Sequence, residues 1–470
     1  MWKTHDRKAQ TVKELRDSML TKFKKKYIGN WEFYRRYLLL AIPMILQNAI
    51  TNLVSFLDNI MVGQLGTEQM SGVAIVNQLI FVYNLAIFGA VSAASIFGAQ
   101  YFGKGNHKGH MYSFRFKLYA TLLVTGGAIL LFLTKGSALI SLYLTDTVGN
   151  GATDVALKYG QEYLAIMMVG LIPFAVNQSY ATNIKETGQT FIPMLASFVA
   201  VGTNALLDYL MIFGIGPFPK MGVQGAALAT VIARYIEALI VIIWAHMHRA
   251  KNRYLEGAYT GFGIPFAELK AILVKGFPLM MNEVMWAAGM TTVTQCYSVR
   301  GLDVVAGLNI ASTITNLFNI VYLQLGSCIS IVVGQYLGAG KLKEAKDADD
   351  KMIVFSVFCC VIMAALMFVV GGFFPGIYNT SEEIKGLATQ FIAVSAIIMP
   401  FCAFSHASYF TLRSGGKTVV TFLFDSVFTW VIVVPAAYLL AHFTGLGIVS
   451  IYFLVQGTEM IKVIIGYYMV

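Results

Sequence analysis

The sequence predicts an all-α polytopic membrane protein: twelve transmembrane helices in two six-helix lobes related by a pseudo-two-fold axis along the membrane normal. Three observations carry this. Of the 470 residues, 57% are hydrophobic and only 12% charged, against about 25% charged in a soluble domain, and the mean hydropathy is +0.67. Apolar runs broken by Gly, Pro and charge recur twelve times along the chain. The chain also repeats itself at an offset of 235 residues.

The runs place the spans at 37–63, 71–99, 115–135, 155–182, 190–214, 222–247, 268–298, 304–335, 351–373, 386–412, 418–441 and 445–470. This divides the chain into a basic N-terminal segment 1–36, an N-lobe 37–247, an inter-lobe linker 248–267 and a C-lobe 268–470. Lys and Arg then segregate. The N-terminal segment and the even loops, with Arg115 and Lys117 among them, hold 27, and the odd loops hold 5. The positive-inside rule puts both termini in the cytoplasm, in a plasma-membrane protein. The net charge of +10 therefore reads as membrane orientation, with the N-terminal segment lying against anionic lipid headgroups, and not as nucleic-acid binding. No cleavable leader is expected, because residues 1–36 lack an apolar core. Val470 coincides with the end of the last span, which leaves room for a further cytoplasmic tail. The five cysteines lie in apolar segments with no metal spacing and suggest no disulfide framework.

The repeat aligns Pro43 with Pro278, Gly66 with Gly301, Gly72 with Gly307, and Gln100-Tyr101-Phe102-Gly103-Lys104-Gly105 with Gln335-Tyr336-Leu337-Gly338-Ala339-Gly340. Six spans per repeat is an even number, so both halves share one orientation and a substrate site is expected between them. The repeat breaks at the buried acids. Asp58 corresponds to Val293, Asp208 to Ala436, and Glu283 to Asn48. Scaffold residues repeat and these acids do not, so the acids are not there for the fold.

Span one concentrates the chemistry. Its polar residues Gln47, Asn48, Thr51, Asn52, Ser55, Asp58 and Asn59 fall within one arc of roughly 140° on a helix. A carboxylate at that depth costs about 2.5–3.5 kcal/mol on insertion scales, so Asp58 marks a site by default. In span five Asn204 and Asp208 are one turn apart, and Ser197 shares their face. Four other groups have plainer readings. Arg234–Glu237 and Glu459–Lys462, i,i+3 pairs at equivalent places in the two halves, read as structural ion pairs. Glu162 and Asp425 read as single acids snorkelling near span ends. His406 reads as a satisfied core histidine.

The ordered set of these residues resembles the MATE family (multidrug and toxic compound extrusion) over 35–470. The residues that carry the resemblance are Ile42-Pro43, Asp58-x-x-Met61-Val62-Gly63-x-Leu65-Gly66, the G-x-G ends of spans two and eight, and Glu186-Thr187-Gly188-Gln189-Thr190. Asn204-x-x-x-Asp208, the Gly222–Thr230 run, and Gly276-Phe277-Pro278 with Glu283 complete the set. The resemblance implies two lobes around a V-shaped cavity and export of cationic amphipathic compounds in exchange for Na+ or H+. It places a cation or proton site at Asp58, Asn204, Asp208 and Thr230, with Ala226 lending backbone. Two carboxylates, an amide oxygen and a hydroxyl suit Na+, and close carboxylates can also share a proton. Glu283 matches the family's C-lobe acid. With Asn48, Asn52, Trp286 and Met290 it is the expected contact for substrate or a second cation. A further acid that some bacterial members carry in span ten is absent from Pro400–His406 here.

No cofactor is expected apart from the coupling ion, and the expected partners are small cationic substrates and membrane lipids, with the chain a monomer. A flippase for lipid-linked cargo is the alternative, disfavoured because the intramembrane charge is mainly acidic. An enzyme is disfavoured because no span carries H-x-x-x-H, G-x-S-x-G or a paired protease Asp. Without a G-x-x-x-x-G-K-[ST] motif, the chain alone does not drive export with ATP.

Overall fold

The structure is a computed structural model and describes residues 26–144, 150–261 and 263–470. Residues 1–25 of the basic segment lie outside the described residues, and so do the side chains of Ser55 and Asn59. Among the described residues every regular element is a helix. They are α1 (Trp31–Gly63), α2 (Thr67–Lys104), α3 (His107–Ser141), a broken α4 (Asn150–Val169 and Leu171–Glu186), α5 (Phe191–Phe213), α6 (Val223–Met247), α7 (Phe266–Ser298), α8 (Leu302–Gly338), α9 (Leu342–Gly371), α10 (Glu382–Ser414), α11 (Thr418–Phe443) and α12 (Ile448–Met469).

Nine of these are each long and apolar enough to cross a membrane, and α4 makes a tenth with a 44° bend. The 33-residue helices α1 and α7, each with an internal proline, complete the twelve. The bend in α4 falls at Gly170, three residues before Pro173, whose ring lacks an N–H and crowds the preceding turn.

The repeat is visible in the local geometry. Gly66 and Gly301 precede α2 and α8 with φ of 142° and 124°, a region open to glycine alone. Gly105 and Gly340, the last glycines of the Q-Y-x-G-x-G motifs, are left-handed at 71° and 75° and close their helices with matching hydrogen bonds (Gly105 N to Phe102 O, Gly340 N to Leu337 O). Gly72 and Gly307 bring helices together. A Cβ on Gly72 would lie 2.5 Å from the Ala156 carbonyl oxygen on α4, and one on Gly307 3.2 Å from Leu387 Cβ on α10. Gly72→Ala is therefore expected to cost about 1–3 kcal/mol of stability. Gly126→Ala, where a Cβ meets nothing within 4 Å, should leave the thermal unfolding midpoint unchanged or slightly raised, because Ala is the better helix former.

The chain divides into two compact units. One holds Ile42–Met290 and Gly416–Thr429; the other holds Thr291–Gly415, Trp430–Val470 and the described residues up to Ala41. Three boundaries fall inside α1, α7 and α11, and the fourth falls in the connection between α10 and α11. The first unit is built on a core including Val76, Ile80, Tyr83, Met167, Leu171 and Ala227. The second is built on Val293, Phe318, Tyr322, Met367, Phe391 and Met399.

Two placements differ from the sequence reading. Asn106 caps α3 by accepting from Gly109 N at 2.9 Å, so the helix starts at His107. Arg115 and Lys117 then belong to α3 and are buried, not loop charges. Arg115 donates to the carbonyls of Ala258, Gly263 and Gly257 at 2.9, 2.7 and 2.6 Å. With the buried Asn252 and Tyr254, these bonds fold the segment after α6 onto the first unit. Lys117 donates to Glu186 Oε1 at 2.5 Å and to Asn183 Oδ1 at 3.1 Å.

Candidate functional site

The site is built where α5 and α6 pack in the first unit. Gly225 permits the approach, because a Cβ there would lie 2.9 Å from the Met211 carbonyl. Asn204 then meets α6, with Asp208 one turn further along α5, and the two are 6% and 1% exposed. Asn204 Nδ2 donates to Thr230 Oγ1 at 3.4 Å, and Thr230 Oγ1 donates to the Ala226 carbonyl at 3.0 Å. From α1, the Asp58 carboxyl comes within hydrogen-bonding reach of Asp208, which Asn204 also faces. All five residues expected at the cation site are thus brought together.

The polar atoms do not balance. Asp58 Oδ1 and both Asp208 oxygens are buried and receive no hydrogen bond of good geometry. Two ionised carboxylates can only accept, and as neighbours they repel each other. A proton or a monovalent cation between them removes the repulsion and satisfies the oxygens. The carboxylates of Asp58 and Asp208, the Asn204 amide and the Thr230 hydroxyl together offer hard oxygen donors. The sequence reading missed Tyr163 of α4, which lies in the electrostatic range of both acids and donates to Asn77 Oδ1 at 3.4 Å.

Other residues on the expected polar face have local partners. Asn48 and Asn52 donate to the carbonyls one turn back, Met44 and Asn48, at 3.0 and 2.9 Å. Gln47 Nε2 donates to Ser197 Oγ at 2.7 Å, and Ser197 donates to Glu237. The expected Arg234–Glu237 ion pair does not form. Arg234 turns to the Gly170 carbonyl at 3.4 Å and lies over the Phe174 ring, because Ser197 of the neighbouring helix takes the carboxylate. Its counterpart Lys462–Glu459 does pair, at 3.2 Å. Ser197→Ala, which strips Glu237 of this donor, is expected to lower stability by about 1–3 kcal/mol, read by thermal unfolding.

On α7, Glu283 is half-buried, and Trp286 and Met290 are exposed. Asp425 is not a snorkelling acid. Asn282, the residue before Glu283, donates to Asp425 Oδ2 at 3.1 Å. Ser426 in turn donates to the Asn282 carbonyl and Oδ1, both at 2.7 Å. Asp425 lies in a π-helical turn, Leu423–Val427, of α11, an irregularity frequent at functional sites. His406 interacts with the Cys402 carbonyl at 2.9 Å.

The family model MatE matches residues 43–210 and 278–439, one block in each half of the repeat. The chain belongs to the MatE family. It is 23% identical over 421 residues to a probable multidrug resistance protein NorM of Thermotoga maritima, covering 89% of this chain and 88% of that one. A protein of the same name from Listeria monocytogenes is 24% identical over 417 residues, covering 88% and 89%. Among solved structures, a MOP superfamily transporter from Pyrococcus furiosus superimposes with a TM-score of 0.82 at 20% identity, over 92% of this chain and 94% of that one. A Vibrio cholerae MATE transporter, VcmN, does so with 0.81 at 16% identity, over 93% and 96%. This MatE chain is accordingly a multi-pass membrane transporter and not an enzyme.

Proposed function

We propose that this MatE protein is a multidrug efflux antiporter of the plasma membrane that exports cationic, amphipathic compounds in exchange for Na+ or H+. It acts as a monomer with both termini in the cytoplasm. The reading is supported by the family match, by relatives that carry the name NorM, and above all by one observation: a half-buried Asp58 beside the buried Asp208, with Asp58 Oδ1 and both Asp208 oxygens short of hydrogen-bond donors.

The acid pair is an exchange site for positive charge. Without a coupling ion, Asp58 and Asp208 leave anionic oxygens that attract a cationic substrate. Na+ or H+ entering between them cancels that attraction, with Asn204 and Thr230 completing the oxygen shell around Na+. The coupling ion drives release by its differential affinity for the two transport states. Glu283, Asn48, Asn52, Trp286 and Met290 supply further contacts to the substrate's charge, polar groups and rings. The test is export of a fluorescent organic cation from proteoliposomes under an inward Na+ gradient and, separately, an inward H+ gradient. Export under either gradient supports antiport and names the ion. No response to either from folded protein rejects the reading.

A further inference from the structure

A cavity of about 340 Å³ lies at the end of the first unit where α2 meets α3 and the segment after α6 folds back. Lys251, Arg253, Tyr254, Thr187, Gln189 and His110 help line it. Tyr254 is fully buried, yet its hydroxyl has no hydrogen-bond partner, whereas Nε2 of the buried His110 lies 3.4 Å from Glu186 Oε2. The two rings pack together, with centroids 4.9 Å apart. At the rim His107 Nε2 and Glu256 Oε1 contact Arg253 at 3.0 and 3.3 Å, which orients the guanidinium and leaves its remaining nitrogen open. Glu186, the acid beneath His110, is neutralised by Lys117.

We propose that this cavity binds a phosphate group, from an anionic lipid headgroup or from soluble phosphate. Lys251 and Arg253 supply the charge, and Tyr254 donates from below. A basic face that is merely solvated does not bury an unsatisfied hydroxyl, because orphaning a buried polar group is costly. A phosphate oxygen satisfies it, and charge-assisted bonds from Arg and Lys are the strong kind for this ligand. The bound group would tie the segment carrying Lys251, Arg253 and Tyr254 to Thr187 and Gln189 at the end of α4.

The test is thermal unfolding of the full chain in uncharged detergent. Phosphatidylglycerol is titrated against phosphatidylcholine in one arm and inorganic phosphate against chloride in the other. Lys251→Ala/Arg253→Ala should raise the half-saturating concentration about tenfold or more. Lys104→Ala/Lys108→Ala, which removes the same charge outside the cavity, should change it less than about twofold, and Tyr254→Phe should weaken the response with the charge unchanged. A specific response to phosphatidylglycerol alone assigns a lipid headgroup, and one to inorganic phosphate assigns a soluble anion. No response in either arm, or equal weakening by the two double variants, overturns the proposal.

Discussion

Asp58→Asn is expected to abolish coupled export while the protein stays folded. Asn keeps the size and one oxygen of the carboxyl but removes its charge. A cation about 4 Å from a carboxylate gains about 4 kcal/mol at an effective dielectric of 20. Losing one of the pair should therefore slow gradient-driven export by about 100-fold or more in proteoliposomes. Stability should not fall, because the substitution relieves two facing acids, of which Asp58 Oδ1 and both Asp208 oxygens lack donors, and gives Asp208 an amide that can donate. Asp208→Asn should behave alike. The double variant should be little worse than either single one, because residues acting as one unit are non-additive. Wild-type export with unchanged ion dependence in Asp58→Asn would remove this pair from the mechanism.

The largest stability effect is expected at Lys117 and Glu186, 0% and 2% exposed and joined by a 2.5 Å bond. Glu186→Gln leaves a buried ammonium without its counter-charge, and Lys117→Met leaves a buried carboxylate. Breaking a buried pair from one side costs about 3–5 kcal/mol. Replacing both at once removes both uncompensated charges, so Lys117→Met/Glu186→Gln should recover most of the loss. The check is a double-mutant cycle on thermal unfolding midpoints. Additive losses would mean that the pair is not coupled.

These two sites show how far the sequence was legible. The polar residues of α1 and α5 were readable because each set shares one helix face, while the grouping of Asp58, Asn204, Asp208 and Thr230 came from the family resemblance. Asn204 and Asp208 are one turn apart, and the polar arc of α1 stands out in an apolar run. The repeat was readable because its glycines hold backbone positions that other residues cannot, at Gly66 and Gly301 and at Gly105 and Gly340. What failed were inferences that stopped at local spacing. Glu237 takes Ser197, 40 positions away, in preference to Arg234 three positions away. Asp425 finds Asn282 at a separation of 143, and Lys117 finds Glu186 at 69. Helical periodicity reports which residues share a face, and only packing between helices decides which face meets which. The aromatic and amide surroundings of the acids, Tyr163 and Asn77, were invisible for the same reason.

The central claim is that Asp58 and Asp208 together hold the coupling cation. The most direct measurement counts protons and Na+ bound by the purified protein, by potentiometric and sodium-electrode titration, in wild type and in Asp208→Asn. The account expects a cation-binding event in the wild type that is absent from the variant although Asp58 remains. Identical titrations in the two proteins would contradict it.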